Sequence, residues 1–259
     1  MLTVTWVGHA SLLIQLDGVN VLTDPMWSER ASPAQFAGPR RWVAPGIAFD
    51  DLPPLDVVLQ SHNHYDHLDA STVRRLTRAQ PQAAWVLPLG LAPFVQRRGA
   101  RQVIELDWWQ EHAIASLRIA ATPALHFSSR GVGDRGETLW CGFALAGSHR
   151  VFFAGDTGFH PEFGRIGERY GPFDVALMPI GAYEPRWFMR YLHMNPEEAV
   201  EAFRALKASV MVPIHWGTFK LTDEAMDEPP VRARAAWTAA GLAPGGYRQL
   251  AHGETLVLD

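Results

Sequence analysis

The chain has 259 residues, of which 47% are hydrophobic and 19% charged, with a formal net charge of -4. That length buries a substantial core and the composition is that of an ordinary globular protein, so disordered and fibrous classes are excluded. The acidic balance gives no general pull toward nucleic acid, and the single cysteine, Cys141, excludes an intramolecular disulfide scaffold.

Met1 to Trp6 lacks the basic segment and apolar stretch of a signal peptide, and no window is long and apolar enough to span a membrane. The expected location is cytoplasmic, with peripheral membrane attachment as the variant. Leu2 to Val7 alternates and Ser11 to Leu16 is apolar. Asp17-Gly18 then forms a two-residue turn of the kind that accepts positive φ, leading into Val19 to Thr23. After Asp24-Pro25 comes a loop of roughly two dozen residues, long for a compact domain. It carries Trp27, Phe36, Trp42 and Phe49 among prolines, with Arg30, Arg40 and Arg41 nearby. Such aromatics either meet a lipid surface or amphipathic substrate, or cap the core.

The apolar run Asp56 to Gln60 reads as a buried strand, and directly after it stands Ser61-His62-Asn63-His64-Tyr65-Asp66-His67-Leu68-Asp69. The H-x-H-x-D-H order reads as half of a binuclear metal site. His62 and His64 turn to one metal, Asp66 and His67 to a second. Imidazole nitrogen with carboxylate oxygen suits zinc first, with iron and manganese as alternatives. A helix follows, opened by Asp69 or Ser71 as N-cap and running on through Thr72 to Leu76. Trp85 to Leu87 and Gln102 to Leu106 read as strands around a short helix near Pro93 to Arg98, and Ile114 to Thr122 as a strand or hairpin. Leu139 to Leu145 and Val151 to Ala154 form a further pair, with Cys141 a small core residue. Val175 to Pro179 is a strand, and Asn195-Pro196-Glu197-Glu198 announces a helix with asparagine as N-cap, proline in the first position and Glu198 closing a capping box. Val210 to Ile214 is a strand, Pro230 to Ala240 a helix, and the chain end is strand-like. No repeat or linker divides the chain. The order predicts one α/β domain over residues 1–259, with sheets layered against helices.

A binuclear site needs more ligands than one loop supplies. Three apolar runs end in one each: His126 after Thr122-Pro123-Ala124-Leu125, Asp156 in the turn Gly155-Asp156-Thr157-Gly158, and His215 after Val210 to Ile214. Each alone is a weak signal, but strand, ligand and turn recur in all three. The expected arrangement is His62, His64 and His126 on one metal, Asp66, His67 and His215 on the other, and Asp156 bridging. His9, Asp24 and His252 are available to orient these imidazoles. Asp24 alternatively just caps its turn with Pro25.

The order H-x-H-x-D-H, then His126, then G-D-T-G, then His215 resembles the metallo-β-lactamase superfamily. More narrowly, the chain is similar to the N-acyl-phosphatidylethanolamine-hydrolysing phospholipase D family. Thr5 to Ala10, Leu22 to Pro25, Ser61 to Asp69, Glu105 to Trp109, Phe153 to Gly158, Gly181 to Met189 and Pro213 to Phe219 carry that likeness. The resemblance implies a four-layer αββα sandwich with a dimetal site, holding two Zn2+ per chain, at one edge. It implies hydrolysis of an N-acyl phospholipid between phosphorus and the head-group oxygen, giving phosphatidic acid and an N-acylethanolamine. Asp66 and Asp156 would hold the nucleophile in line as well as bind metal. Tyr65 and His193 resemble positions that contact the head group or phosphate, and His193 would orient phosphate or protonate the leaving alcohol.

Two departures bear on this reading. The chain begins almost at the first matching strand, without the N-terminal extension of the animal enzyme, so membrane attachment and any homodimer contact are expected to differ. Phe127-Ser128-Ser129 departs from the aromatic and basic residues expected after His126, so substrate preference is expected to differ too. The same scaffold would serve a dimetal hydrolase of a small soluble ester, lactone or phosphodiester. A non-catalytic metal-binding module is the remaining alternative. Nucleic-acid processing would want a basic groove, which is not visible.

Overall fold

The computed structural model describes residues 1–259. Strands β1 (Leu2–Gly8), β2 (Ser11–Leu16) and β3 (Val19–Thr23) form an antiparallel meander. Its tight turn holds Asp17 at φ 52° and Gly18 at φ 79°, the left-handed backbone that a two-residue hairpin requires. After the long loop the chain continues parallel to β3 as β4 (Val57–Leu59), then α1 (Ala70–Ala79), β5 (Ala84–Pro88), α2 (Ala92–Gln96) and β6 (Gln102–Leu106). The second half lays down β7 (Glu111–Ile114), β8 (Leu117–Thr122), β9 (Gly142–Ala146) and β10 (Arg150–Phe153). There follow α3 (Glu162–Tyr170), β11 (Val175–Pro179), α4 (Arg186–Met189), α5 (Pro196–Ala205), β12 (Val210–Ile214), α6 (Glu228–Ala239) and β13 (Thr255–Leu258). Two mixed sheets result, ordered β13-β1-β2-β3-β4-β5-β6 and β12-β11-β10-β9-β8-β7.

Strand periodicity decides what each face meets. Val57, Leu59, Val86, Phe143, Leu145, Val151, Phe153, Val175, Leu177, Val212 and Ile214 point between the sheets into one core. Their neighbours point outward. Val58, Trp85 and Leu87 pack under the Val73–Leu76 face of α1, and Phe152, Ala176, Met178 and Met211 under Phe163, Ala199, Phe203 and Trp237 of α3, α5 and α6. Three apolar layers between four structural layers make this the expected αββα sandwich.

The helix caps follow the sequence signals. The Asp69 side chain accepts from Ser71 N, and Asn195 with Glu198 closes a capping box on α5. Ile114 to Thr122 resolves into a hairpin turning at Ala115, φ 51°. Helix α3 has no counterpart in the sequence reading, because Gly164 and Gly167 lower its propensity. Gly167 is needed for packing, since a Cβ there would lie 2.5 Å from Ala205 O of α5.

The loop between β3 and β4 divides its aromatics. Trp27 and Phe49 meet edge to face at 5.9 Å against the core beneath α1, and Trp27 Nε1 donates to Ile47 O. Phe36 and Trp42 are 88% and 65% exposed. Trp187, Phe188 and Tyr191, in and just after α4, are also exposed. No helix is long and apolar enough to cross a membrane.

Candidate metal centre

Parallel strands end together, and the residues just past β4, β10 and β12 therefore meet at one edge. The turn after β4 brings His62, His64, Asp66 and His67, and β10 and β12 deliver Asp156 and His215. His126 arrives beyond β8 on a stretch held by the Leu125–Gly158 bridge. Gly155 adopts φ 60°, and a Cβ there would lie 2.7 Å from Ser61 Cβ, so glycine lets the Asp156 turn close on the histidine loop.

Two donor groups form. His62 Nε2 and His126 Nε2 lie 2.9 and 3.1 Å from His64 Nδ1, and 3.9 and 3.8 Å from Asp156 Oδ2. His67 Nε2 and His215 Nε2 lie 3.3 and 3.4 Å from Asp66 Oδ2. Asp156 stands between the groups, with Oδ2 3.0 Å from His67 Nε2 and Oδ1 3.1 Å from His215 Nε2. Nitrogen and oxygen donors at about 2.0–2.2 Å from one cation are themselves roughly 3–3.6 Å apart, the spacing found around His67 and His215, while the His62 and His126 nitrogens lie somewhat further from Asp156.

Hydrogen bonds outside the cluster fix which ring nitrogen faces in. The Asp24 carboxylate accepts from His67 Nδ1 at 2.6 Å, which leaves a lone pair on Nε2. Ser61 Oγ donates its proton to Asp24 Oδ2 at 2.6 Å and so accepts from His62 Nδ1 at 2.9 Å, with the same consequence for His62. His126 Nδ1 donates to Leu192 O at 2.8 Å. Lone pairs thus converge on each other and on carboxylates. His67 Nε2, His215 Nε2 and Asp156 Oδ1 are buried without any hydrogen-bond partner. Groups left so cost stability unless a cation lies between them, and this donor set fits one in each group.

Where protein groups alone balance the charge, protons take a cation's place on the imidazoles that face carboxylates. Burial pushes the imidazoles of His62 and His126 well below their ordinary range. Burial acts the same way on His67 and His215, but Asp156 and Asp66 outweigh it, lifting His67 well above the ordinary value and His215 to about 9. Burial opposes charge on Asp66 and Asp156 too, yet the imidazoles, His67 and His215 foremost, hold both well below the usual carboxylate range.

His193 is brought to the same place. Its Nδ1 lies 4.0 Å from Asp156 Oδ2 without a hydrogen-bond partner, and burial lowers its pKa to about 4. Arg186 holds its carbonyl at 2.9 Å while pairing with Glu198 of the α5 cap. His9 Nε2 donates to Asp66 Oδ2 at 2.9 Å, and of the two roles open to it the Asp24 carboxylate takes the orienting one, bonding His67 directly and reaching His62 through Ser61, with no bond that caps its turn with Pro25.

Two expectations need correction. His252 makes no hydrogen bond to a cluster residue; it stacks on Trp6 at 4.2 Å and bonds Thr218 Oγ1, which accepts from His9 N, so it stands one step further out. Tyr65 turns its hydroxyl to Arg130 O at 2.5 Å and its ring to the Arg130 guanidinium, so the hydroxyl's proton is engaged by backbone across the site. Arg130, absent from the sequence reading, binds Asn63 O and Leu68 O at 2.8 and 2.6 Å and clamps the histidine loop from across the site. Ser61 was missed as well, although a hydroxyl beside the first ligand was the available signal.

Comparison with known proteins is consistent across sequence and structure. Residues 19–216 match the family model described as a beta-lactamase superfamily domain. The chain is 46% identical to N-acyl-phosphatidylethanolamine-hydrolyzing phospholipase D 1 of Caenorhabditis elegans, over 87% of this chain and 67% of that protein. It is 32% identical to a UPF0173 metal-dependent hydrolase of Methanopyrus kandleri, over 87% and 88% of the two chains. The structure of Igni18, a metallo hydrolase from Ignicoccus hospitalis, superposes with a TM-score of 0.74 at 26% identity, covering 100% of this chain and 98% of that one.

Proposed function

The chain belongs to the beta-lactamase superfamily, among its metal-dependent hydrolases, and from that premise we propose that it is a phosphodiesterase of the phospholipase D type. Its substrate on this reading is an N-acyl phospholipid and its cofactors are two zinc ions. The observation that carries the proposal is the convergence of seven donor side chains, with inward atoms of His67, His215 and Asp156 left without a protein partner, in a chain so similar to the worm phospholipase.

His62, His64 and His126 would hold one ion, Asp66, His67 and His215 the other, with Asp156 shared. Bound dications supply Lewis acidity toward a phosphodiester and lower the pKa of water to about 7 in favourable sites. Asp66 is fixed by His9 at one oxygen, so it presents a set orientation to the reacting group. His193 offers Nδ1 to a phosphoryl oxygen or to the leaving alcohol, held by Arg186 and by burial rather than by any bond to that nitrogen. The buried cluster walls exclude bulk water, which strengthens each of these contacts.

Exposed Phe36, Trp42, Trp187 and Phe188 support a lipid substrate and peripheral contact with a membrane surface. The test is a panel of N-acyl phospholipid vesicles, short soluble phosphodiesters, lactones and esters. N-acylethanolamine release from vesicles is expected to lead the panel. Replacing those four aromatics by serine is expected to cut vesicle activity at least about tenfold more than soluble-diester activity, since each buried aromatic is worth about 1.5–3 kcal/mol. Turnover of lactones or esters alone would transfer the site to a small soluble substrate.

A further inference from the structure

A histidine that ligates a metal almost always donates its outer N–H to a second group. His62 has Ser61 for this, His67 has Asp24 and His126 has Leu192 O. His64 reaches the surface and can use solvent. His215 differs from all of these. Its Nε2 faces Asp66 and Asp156, and its Nδ1 is buried with no hydrogen-bond partner. Left so, that nitrogen would cost about 1–3 kcal/mol.

A cavity of about 20 Å³ adjoins His215, with Ala182, Thr222 and Glu224 in its wall. One water needs about 10–15 Å³ and two to four polar partners. Glu224 is already fixed in place. Its Oε2 accepts from Thr222 Oγ1 at 2.6 Å and Glu184 N at 3.2 Å, while Oε1 accepts only from Ala182 N at 2.7 Å and keeps a lone pair. Direct contact between the carboxylate and His215 is not made.

We infer that one buried water joins His215 Nδ1 to Glu224 Oε1, making Glu224 the positioning residue for His215. The water accepts from Nδ1–H and donates to the carboxylate, so the Nε2 lone pair is held toward Asp66 and Asp156. The segment after β12 thereby does for the last ligand what Asp24 does for His67. The inference rests on the dimetal reading of the site, and its test separates the two.

Crystals of the wild-type chain at high resolution are expected to show a water within hydrogen-bond reach of both His215 Nδ1 and Glu224. Nδ1 bonded to any other group, or packed against carbon alone, overturns the relay. Chelator competition on Glu224→Ala is expected to show metal held about 10–100-fold more weakly. Glu224→Gln, which keeps a carbonyl oxygen for the water and for Ala182 N, is expected to restore most of that loss. Unchanged retention in Glu224→Ala overturns the relay, as does an equal loss in both variants matched by an equal fall in Tm. Should Glu224→Ala fail to fold, the wild-type water and the Glu224→Gln titration decide. A wild-type chain that takes up no metal defeats the site reading instead, while the water in its crystals still decides the relay.

Discussion

Asp24 shows how much one buried side chain can set. Its carboxylate accepts from Gln60 Nε2, Ser61 N, Ser61 Oγ and His67 Nδ1, so it orients His67 directly and His62 through Ser61. An asparagine offers one acceptor and turns two N–H donors on a site built to donate. Asp24→Asn is expected to lower stability by roughly 3 kcal/mol and to weaken metal retention about 10–100-fold, read by denaturation and chelator titration. Unchanged metal retention would reduce Asp24 to a turn residue. His160, away from the cluster, supplies the pH-dependent counterpart. It stacks on Phe163 at 4.3 Å, and burial lowers its pKa from 6.5 to about 4, against a small opposing pull from Glu162. Between those values the unfolded chain binds more protons, so this contribution is intact above pH 6.5 and lost as pH falls toward 4. The loss amounts to about 3 kcal/mol. Unfolding free energies of wild type and His160→Gln are therefore expected to draw together across that window, and a difference that stays constant with pH would contradict the assignment. Among single residues, the candidate ligands and Asp24 were legible because they stand at or just past the end of an apolar run, His64, Asp66 and His67 in the H-x-H-x-D-H order that follows it. Arg130 and Glu224 were not, since their partners lie across the site and no local pattern marks them.

At the scale of elements, α5 ties the apolar frame to the centre. Its capping box fixes Glu198, which pairs with Arg186, which holds the His193 carbonyl. Asn195→Ala removes the cap and is expected to cost about 1 kcal/mol of stability, measured by chemical denaturation. A loss of only a few tenths would mean that Arg186 and Glu198 hold the turn without it. That cap could be read in advance because Asn-Pro-Glu-Glu states its own hydrogen bonds. The strands could be read too, because period-two burial writes each face into the order of residues. Helix α3 could not, since Gly164 and Gly167 lower its propensity and Gly167 answers to the closeness of α5. The division of the β3–β4 loop into packed Trp27 and Phe49 and exposed Phe36 and Trp42 was likewise hidden, being set by which rings reach the face beneath α1.

At the scale of the molecule, the centre exists only when the two sheets are packed together. The first sheet brings His62, His64, Asp66 and His67, the second brings His126, Asp156 and His215, and each donor group draws on both. Folding and metal binding are therefore linked, because the unfolded chain cannot assemble either group. The most direct measurement is anomalous X-ray scattering at the metal absorption edge from crystals of the purified chain. Two peaks about 3.5–4 Å apart are expected, one among His62, His64 and His126 and one among Asp66, His67 and His215, with Asp156 between them. No peak in metal-replete crystals, or peaks only outside these seven side chains, would contradict the account.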